Sequence, residues 1–268
     1  MIQSKADLHF HTWHSIDSFI SPKDAVKMAV KKDIKVLAVT DHDTIEGAKA
    51  ARNYAIKNNL PVEIIIGEEI YTNGGHVIGL FLTKRVPSFQ SLEETLIQIK
   101  EQEGLAIIPH LMFEEDALGE YIYRYQVCYL DLINRPDLLA MVDAIEVQNF
   151  GLIEPQYFEK THFINEKFLQ KAEVSSSDCH IKMNFGHTFS LFDGETADDL
   201  REAIQERKTT PLCIKKQNFI QQVFGWGPII KLPVHITLQF TYRIIEGIYT
   251  RTRDSLRRRY PIKDQKSA

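Results

Sequence analysis

The chain has 268 residues, of which 44% are hydrophobic and 25% are charged, and its formal net charge at pH 7 is -4. This composition is typical of a soluble globular protein, and the length suits one large α/β domain. No run of about 18 apolar residues is present, which excludes a predicted transmembrane helix. The three cysteines are widely spaced and form no CxxC pair, which argues against a disulfide framework. Since the N-terminus also lacks an apolar signal segment, we predict a cytoplasmic protein.

Positive charge is concentrated at the C-terminal end. From Arg243 onward there are eight Lys or Arg against three Asp or Glu, a local charge of +5 that leaves -9 on the rest. Apolar residues at helical spacing within residues 229–260 predict an amphipathic, basic helix. Three roles stay open for it: packing on the rest of the chain, contact in a homodimer, or peripheral contact with an anionic membrane.

Apolar segments recur along the chain with helical stretches between them. A first helix is predicted to begin with Ser21 as its cap and Pro22 in its first turn. A second is predicted after TDHDT, and a third begins with the capping-box pair Ser91 and Glu94. This alternation predicts a parallel sheet, open or closed into a barrel. The predicted strands are residues 6–11, 35–40, 62–67, 76–82, 105–109, 143–148, 173–177 and 187–192.

Two segments interrupt this alternation. Residues 111–142 are too many for a simple connection, and we predict a helical excursion over one end of the sheet. After residue 216 the pattern changes, with a break at GWGP. We therefore divide the chain into an N-terminal domain of residues 1–216 and a C-terminal basic, amphipathic extension of residues 217–268.

The stretch DLHFHTWHSID, residues 7–17, places three histidines and two aspartates in eleven positions. In a strand, residues two apart point to the same side, so His9 and His11 are predicted to share a face. Their Cβ atoms would lie roughly 7 Å apart, close enough for both imidazoles to bind one metal ion. Alone, this pattern is weak evidence, and a polar strand edge is the alternative.

Side chains of the types that can bind metals recur after four further apolar runs. In α/β proteins the C-terminal ends of parallel strands meet at one edge of the sheet, where functional sites are built. Random polar loops would supply mostly Ser, Lys and Asn rather than histidine with carboxylate, so the recurrence predicts a metal site. The residues are Asp41 and His42, Glu68 and Glu69, His110, and Asp178 and His180.

The motifs DLHFHT, TDHDT, GEE, PHL and SSDCH resemble, in order, those of the polymerase and histidinol phosphatase (PHP) family. The resemblance covers about residues 5–215. It implies a distorted seven-stranded (β/α)7 barrel resembling a TIM barrel, which holds up to three metal ions and hydrolyses phosphoesters. Carried over to this sequence, it implies nine ligands: His9, His11, Asp17, His42, Glu69, His76, His110, Asp178 and His180.

The resemblance also implies individual roles. Asp17 takes the place of the acidic residue after HTxxS, although many relatives have SDG where this chain has SIDS. Glu69, rather than Glu68, is implied as the carboxylate that bridges two metals. Glu69, Asp178 and His180 would act in catalysis through the metals. Asp41 and Asp7 are predicted to lie behind the ligands and hold histidines in the required tautomer.

Imidazole and carboxylate ligands suit Zn, Mn or Fe, whereas Mg or Ca would favour oxygen ligands. The predicted function is hydrolysis of a phosphoester in a small phosphorylated molecule, by a water that two or three divalent transition-metal ions activate. A PHP-type nuclease or phosphodiesterase is one alternative, although the acidic body argues against nucleic acid as a partner. A non-catalytic PHP-like module is another, although the intact ligand set argues against it.

The remaining histidines are predicted to be solvated or packed, with His14 and His187 also considered as contacts for the substrate. Arg124 and Arg135 lie in the excursion and are predicted on a solvated helix face. The alternative is that one of them binds a substrate phosphate, since guanidinium binds phosphate through two parallel hydrogen bonds.

Overall fold

The structure is a computed structural model, and it describes residues 2–111, 127–150 and 157–214. The strands are β1 Gln3–Asp7, β2 Val36–Val39, β3 Glu63–Thr72, β4 Gly75–Leu80, β5 Leu105–Ile108, β6 Ala144–Asn149, β7 Ala172–Ser176, β8 Thr188–Asp193 and β9 Thr210–Cys213. The helices are α1 Pro22–Lys31, α2 Glu46–Lys57, α3 Leu92–Lys100, α4 Tyr129–Ile133, α5 Pro136–Met141, α6 Tyr157–Ile164 and α7 Ala197–Gln205. A π-helical turn, Asn165–Leu169, extends α6, and a 3-10 turn, Lys182–Asn184, precedes β8.

The strands form one sheet in the order β7-β6-β5-β4-β3-β2-β1-β8-β9. Hydrogen bonds of Ser175 in β7 bring the two ends of this sheet together. Its N–H donates to Ser190 Oγ at 2.9 Å, and its hydroxyl donates to the Phe189 carbonyl at 2.6 Å, both in β8. Its Oγ also accepts from the Leu212 N–H of β9 at 3.0 Å. Because side chains make these bonds, the sheet is a nearly closed barrel with a seam beside β7.

All eight predicted strand segments overlap strands, and β9 is an additional strand that the sequence analysis missed. The described residues therefore contain nine strands, and the predicted count of seven is not confirmed. The alternation is also less regular than predicted. Strand β4 is antiparallel to β3 and to β5, and β8 is antiparallel to β1 and to β9.

The predicted helix starts are confirmed. Ser21 caps α1 by accepting a hydrogen bond from the Asp24 N–H at 3.0 Å, and Pro22 begins the helix. Ser91 and Glu94 form the predicted capping box of α3. Each cap satisfies backbone N–H groups that lack partners inside the helix, which fixes where the helix begins.

One apolar cluster takes residues from each of strands β1 to β8, such as Ala6, Val36 and Ile107, and packs them against α7. This is the filling expected inside a small barrel. Helix α7 covers the end at which β3 and β5 begin. The Ala197 N–H donates to Glu63 at 2.7 Å, and Arg201 donates to the Glu103 carbonyl at 2.7 Å. The opposite end of the barrel, where the parallel strands finish, is left for a functional site.

Within the predicted excursion, the described residues 127–142 contain α4 and α5, so this part is helical as predicted. Residues 112–126 lie outside the described residues. The predicted domain boundary at 216 and the basic extension, 217–268, also lie outside them and stay predictions. In the described part of the chain, no helix combines the length and the apolar character needed to cross a bilayer.

Candidate metal centre

The first histidine pair lies beyond the end of β1. Strand β1 stops at Asp7, so the prediction that His9 and His11 share a face of a strand was wrong about the element. The chain nevertheless stays extended, because Phe10 bridges Cys179 and the His11 N–H donates to the Cys179 carbonyl at 3.2 Å. The two imidazole rings lie 5.0 Å apart, so convergence comes from pairing with the segment after β7.

A second pairing aligns the residues after β2 with β3. His42 forms a parallel bridge with Glu69, and the Glu69 N–H donates to the Asp41 carbonyl at 3.2 Å. Glu69 lies inside β3 because this strand continues to Thr72. The second half of β3 thereby projects Glu69 towards the end of the barrel where His42 lies.

His76 departs from the predicted arrangement. We expected every candidate ligand at the C-terminal end of a parallel strand, but His76 is near the start of β4, which is antiparallel. The β3–β4 hairpin reverses the chain within a few residues and pairs His76 with Tyr71. The start of β4 therefore lies beside the end of β3, and His76 reaches the same end of the barrel by the opposite chain direction.

Two candidate ligands have left-handed backbone conformations. His110, which follows β5, has φ 31°, and Asp178, which follows β7, has φ 47°. Such conformations are unfavourable for residues with a Cβ and concentrate at functional sites. Here each turns the chain immediately after a strand and aims its side chain into the cluster.

The carboxylate of Glu69 is the centre of the arrangement, since its two oxygens face five imidazoles. Oε1 lies 2.7 Å from His76 Nδ1 and 3.1 Å from His110 Nε2. Oε2 lies 3.1 Å from His9 Nε2, 3.2 Å from His11 Nε2 and 3.1 Å from His42 Nδ1. A carboxylate with different partners on each oxygen has the geometry of a bridge between two ions.

Two aspartates extend the cluster to either side. Asp178 Oδ1 lies 3.3 Å from Nε2 of both His9 and His11. Asp17 Oδ2 lies 3.3 Å from His42 Nε2 and 3.2 Å from His180 Nε2. The structure thus brings all nine predicted residues together, and their ligand role stays a prediction. They form four groups whose potential ligand atoms lie within 4.8 Å of one another: His11, Asp17, His42 and His180; His9, His11 and Glu69; His9, His110 and Asp178; His42, Glu69 and His76.

Several of these atoms are buried and make no hydrogen bond within the described part of the chain. They include Nε2 of His9, Nε2 of His11, Nδ1 of His42 and Oδ1 of Asp178. Buried polar atoms ordinarily have partners, because leaving them without one costs about 1–3 kcal/mol. Lone pairs that face one another across about 3 Å are the arrangement that bound cations would satisfy, so these residues fit a metal cluster.

The electrostatics of these side chains support the same conclusion. Burial raises the pKa of Glu69, but His9, His76 and His42 outweigh this effect and hold the pKa well below its usual range. Burial lowers the pKa of His42, but Glu69 and Asp17 outweigh it and raise the pKa to about 10. The carboxylates therefore require nearby positive charge, which protons on His9 and His42, whose pKa values are both raised, supply when no metal is bound.

Asp41 was predicted to lie behind the ligands and hold a histidine; in the structure it reaches the candidate ligands indirectly. Its carboxylate accepts hydrogen bonds from the Thr12 N–H at 2.6 Å, the Thr12 hydroxyl at 2.7 Å and the Ser15 hydroxyl at 2.9 Å. Ser15 in turn lies 3.1 Å from His11 Nδ1. Asp7 accepts from the N–H groups of His9 and Ser177 at 3.4 Å and 3.1 Å, so it supports backbone rather than an imidazole.

The sequence analysis missed Glu146, which is fully buried in β6. Its Oε1 lies 3.2 Å from His9 Nδ1 and accepts from the Ser176 hydroxyl at 2.5 Å. Its Oε2 accepts from the His110 N–H at 3.0 Å and from Asn149 at 2.9 Å. A carboxylate on Nδ1 of a histidine turns Nε2 towards a metal. The available signal was a glutamate within the apolar run AIEV.

The other singled-out residues belong to none of the four groups of potential ligands or lie outside the described residues. His14 is exposed beside Thr12, and His162 pairs with Glu173 at 2.8 Å on the surface. His187 packs against the Phe150 ring. Arg135 is exposed and pairs with Asp137 and Glu93, so its predicted solvated position is confirmed, although it caps α5 and does not lie on a helix face. His235 and Arg124 lie outside the described residues.

Comparison with known proteins identifies the family. A PHP domain model matches residues 7–220, so the chain belongs to the PHP family. The uncharacterized protein MJ0417 of Methanocaldococcus jannaschii is 31% identical over 232 residues, which cover 81% of this chain and 85% of the relative. The uncharacterized protein MJ1587 of the same organism is 45% identical over 141 residues, covering 48% of this chain and 81% of the relative.

A nuclease is also similar over part of the chain. The 5'-3' exoribonuclease of Haemophilus influenzae is 36% identical over 107 residues, which cover 38% of each protein. Among solved structures, a two-domain protein from Bacteroides vulgatus, described as containing a predicted PHP-like metal-dependent phosphoesterase, has a TM-score of 0.61 at 19% identity and covers 79% of this chain and 65% of its own. At that identity the likeness supports the fold alone.

Proposed function

We propose that the protein is a metal-dependent phosphoesterase that hydrolyses a small phosphorylated molecule. The observation that carries this proposal is the position of Glu69, whose two carboxylate oxygens face five imidazoles at 2.7–3.2 Å and are themselves buried. The cluster lies at one end of the barrel of a PHP-family protein. When bound, clustered transition-metal ions supply an activated water and stabilise negative charge on a phosphoryl group.

The residues of the chain have distinct tasks in this proposal. Glu69 would hold two ions at a fixed separation, while Asp178 and His180 would complete the set on the side of β7. Glu146 orients His9, and Asp41 acts through Ser15. The nine predicted residues would bind two or three ions, and their imidazole and carboxylate groups favour Zn, Mn or Fe.

A second candidate function is exonuclease activity on RNA. It is favoured by the similarity to the 5'-3' exoribonuclease of Haemophilus influenzae, although the matched segment covers only 38% of that protein. A phosphomonoester and a phosphodiester differ in the number of organic groups attached to the phosphate. In both, the phosphoryl oxygens would bind the ions. The alternatives therefore differ at the mouth of the site rather than within the cluster.

One experiment tests both candidates. The purified chain, loaded separately with Mn, Zn and Fe, is offered p-nitrophenyl phosphate, bis-p-nitrophenyl phosphate and a short RNA labelled at its 3' end. We expect release of nitrophenol from the monoester, absent in Glu69→Ala. Stepwise shortening of the RNA without monoesterase activity would instead establish the nuclease. No hydrolysis of any substrate by the metal-loaded chain would overturn the proposal.

A further inference from the structure

One hydroxyl group links two histidines of the cluster. Ser15 lies in the turn after His11 and is buried, with 2% of its surface exposed. Its Oγ lies 2.9 Å from Asp41 Oδ1, 3.1 Å from His11 Nδ1 and 2.9 Å from the backbone nitrogen of His42. Ser15 therefore connects Asp41 to both histidines.

The hydrogen-bonding capacity of a hydroxyl fixes the direction of all three bonds. A serine hydroxyl has one proton to donate and two lone pairs to accept with. The carboxylate of Asp41 can only accept, so the single proton of Ser15 goes there. Since the His42 N–H can only donate, the remaining lone pair faces Nδ1 of His11. His11 must therefore carry its proton on Nδ1, and its Nε2 keeps the lone pair that faces Glu69 and Asp178.

The position of Asp41 is fixed from its other side. Thr12 donates two hydrogen bonds to this carboxylate, at 2.6 Å and 2.7 Å. Gly47, in the first turn of α2, lies so close that a Cβ there would be 1.9 Å from Asp41 Oδ2. The carboxylate is thus clamped between Thr12 and α2, and Ser15 has a rigid partner for its proton.

From this geometry we propose that Ser15 is a positioning residue that sets the tautomer of His11 and the backbone position of His42. It rests on the proposed function, because it assigns Ser15 a role in binding the same metal ions. His11 and His42 belong to three of the four groups of potential ligands. A single hydroxyl therefore influences most of the cluster, although Ser15 is not itself a candidate ligand.

The test measures metal binding rather than turnover. Co2+ alone is titrated into metal-stripped wild-type, Ser15→Ala and Ser15→Thr chains and followed by visible absorption. We expect Ser15→Ala to bind Co2+ about 10–100-fold more weakly, the range found when partners behind metal ligands are removed. Ser15→Thr keeps the hydroxyl and should restore binding.

The matched control is Ser4→Ala. Ser4 is also buried, with 3% of its surface exposed, and its hydroxyl makes no hydrogen bond within the described residues. This variant should bind Co2+ as the wild-type chain does. If Ser15→Ala binds equally well, or if a folded Ser15→Thr binds as weakly as Ser15→Ala, the role of Ser15 is overturned while the proposed function stands.

A second variant covers the case in which Ser15→Ala does not fold. Asp41→Ala removes the acceptor of the Ser15 proton and should weaken Co2+ binding by a similar factor; unchanged affinity would overturn the proposal. If all the chains fold, the variant that combines the changes at Ser15 and Asp41 should bind Co2+ no more weakly than either single variant. Both residues act through the same chain of hydrogen bonds to His11. A wild-type chain that binds no Co2+ would overturn the proposed function and the role of Ser15 together.

Discussion

Glu69 and His76 meet across the β3–β4 hairpin, with Oε1 and Nδ1 2.7 Å apart, although seven positions separate them in the chain. The hairpin register, in which Tyr71 pairs with His76, places both side chains in the cluster. One antiparallel hairpin thus supplies two neighbouring candidate ligands from one local structure.

Replacing Glu69 by Gln should damage metal binding more than any change behind the ligands. The variant removes the charge that faces five imidazoles, so we expect Co2+ affinity to fall more than about 100-fold. In the metal-free chain it leaves protonated histidines without their partner, which should cost about 3–5 kcal/mol. Co2+ titration and urea unfolding of the stripped chain measure the two effects.

Glu68→Gln is the matched control for that change. Glu68 is the adjacent residue and is also buried, but it accepts a hydrogen bond from the Val86 N–H at 2.8 Å instead of facing the cluster. Burial raises its pKa to about 8, so the side chain is mostly uncharged near neutral pH. Co2+ affinity should be unchanged. If Glu68→Gln and Glu69→Gln lost equal Co2+ affinity, contact with the histidine cluster would not explain the effect of Glu69→Gln.

Alkaline pH should destabilise the metal-stripped chain. Burial lowers the pKa of His42 and His180, but nearby carboxylates outweigh it and raise the values to about 10 and about 9. Their stabilising contribution is complete below the ordinary value of 6.5 and is lost as pH rises through these raised values. Tm of the stripped chain should therefore fall between roughly pH 6.5 and pH 10.

The metal-loaded chain provides the comparison. Metal binding requires neutral imidazoles, so it is favoured as pH rises. The rise in Tm on adding Co2+ should accordingly be larger at pH 9 than at pH 6.5. Asp17→Asn removes the partner shared by His42 and His180 and should flatten the alkaline fall. A stripped wild-type chain with constant Tm over this range would contradict the prediction.

Glu146→Gln should lower both the stability of the chain and its affinity for Co2+, although Glu146 is not a candidate ligand. Four donors converge on this carboxylate, and a glutamine would present its own NH2 group to some of them. An unsatisfied buried donor costs about 1–3 kcal/mol, and Co2+ affinity should fall about 10–100-fold. Glu173→Gln makes the same change in the pair with His162, away from the candidate ligands, and should leave metal binding unaltered.

Gly47→Ala should disturb Asp41. The new Cβ would lie 1.9 Å from Asp41 Oδ2 and 2.5 Å from Thr12 Oγ1, so the carboxylate must move. We expect a loss of about 1–3 kcal/mol in the free energy of unfolding and weaker Co2+ binding. Gly74→Ala is the control, because the nearest atom to its Cβ would be 3.7 Å away. Similar effects in both variants would argue against a specific role for Gly47.

Eight of the nine described strands and most candidate ligands could be predicted from the sequence, because apolar runs followed by His and carboxylate are local patterns. The β3–β4 hairpin was missed although its turn contains Asn73 and Gly74, a pair that favours tight hairpins. Glu146 was missed for another reason. Its partners His9 and Ser176 are distant in sequence, and a charged residue within an apolar strand does not reveal what it contacts.

Metal binding at the cluster should also stabilise the seam beside β7. Asp178 follows β7 on one side of the seam, whereas His9 and His11 follow β1, which pairs with β8 on the other side. At this seam, side-chain hydrogen bonds of Ser175 take the place of a backbone ladder. Ions bound by residues on both sides would therefore hold the two sides of the seam together. Stripping metal should therefore speed amide hydrogen exchange at Ser175 and Leu212 more than in the β2–β3 ladder, so that the seam serves as a gauge of metal occupancy.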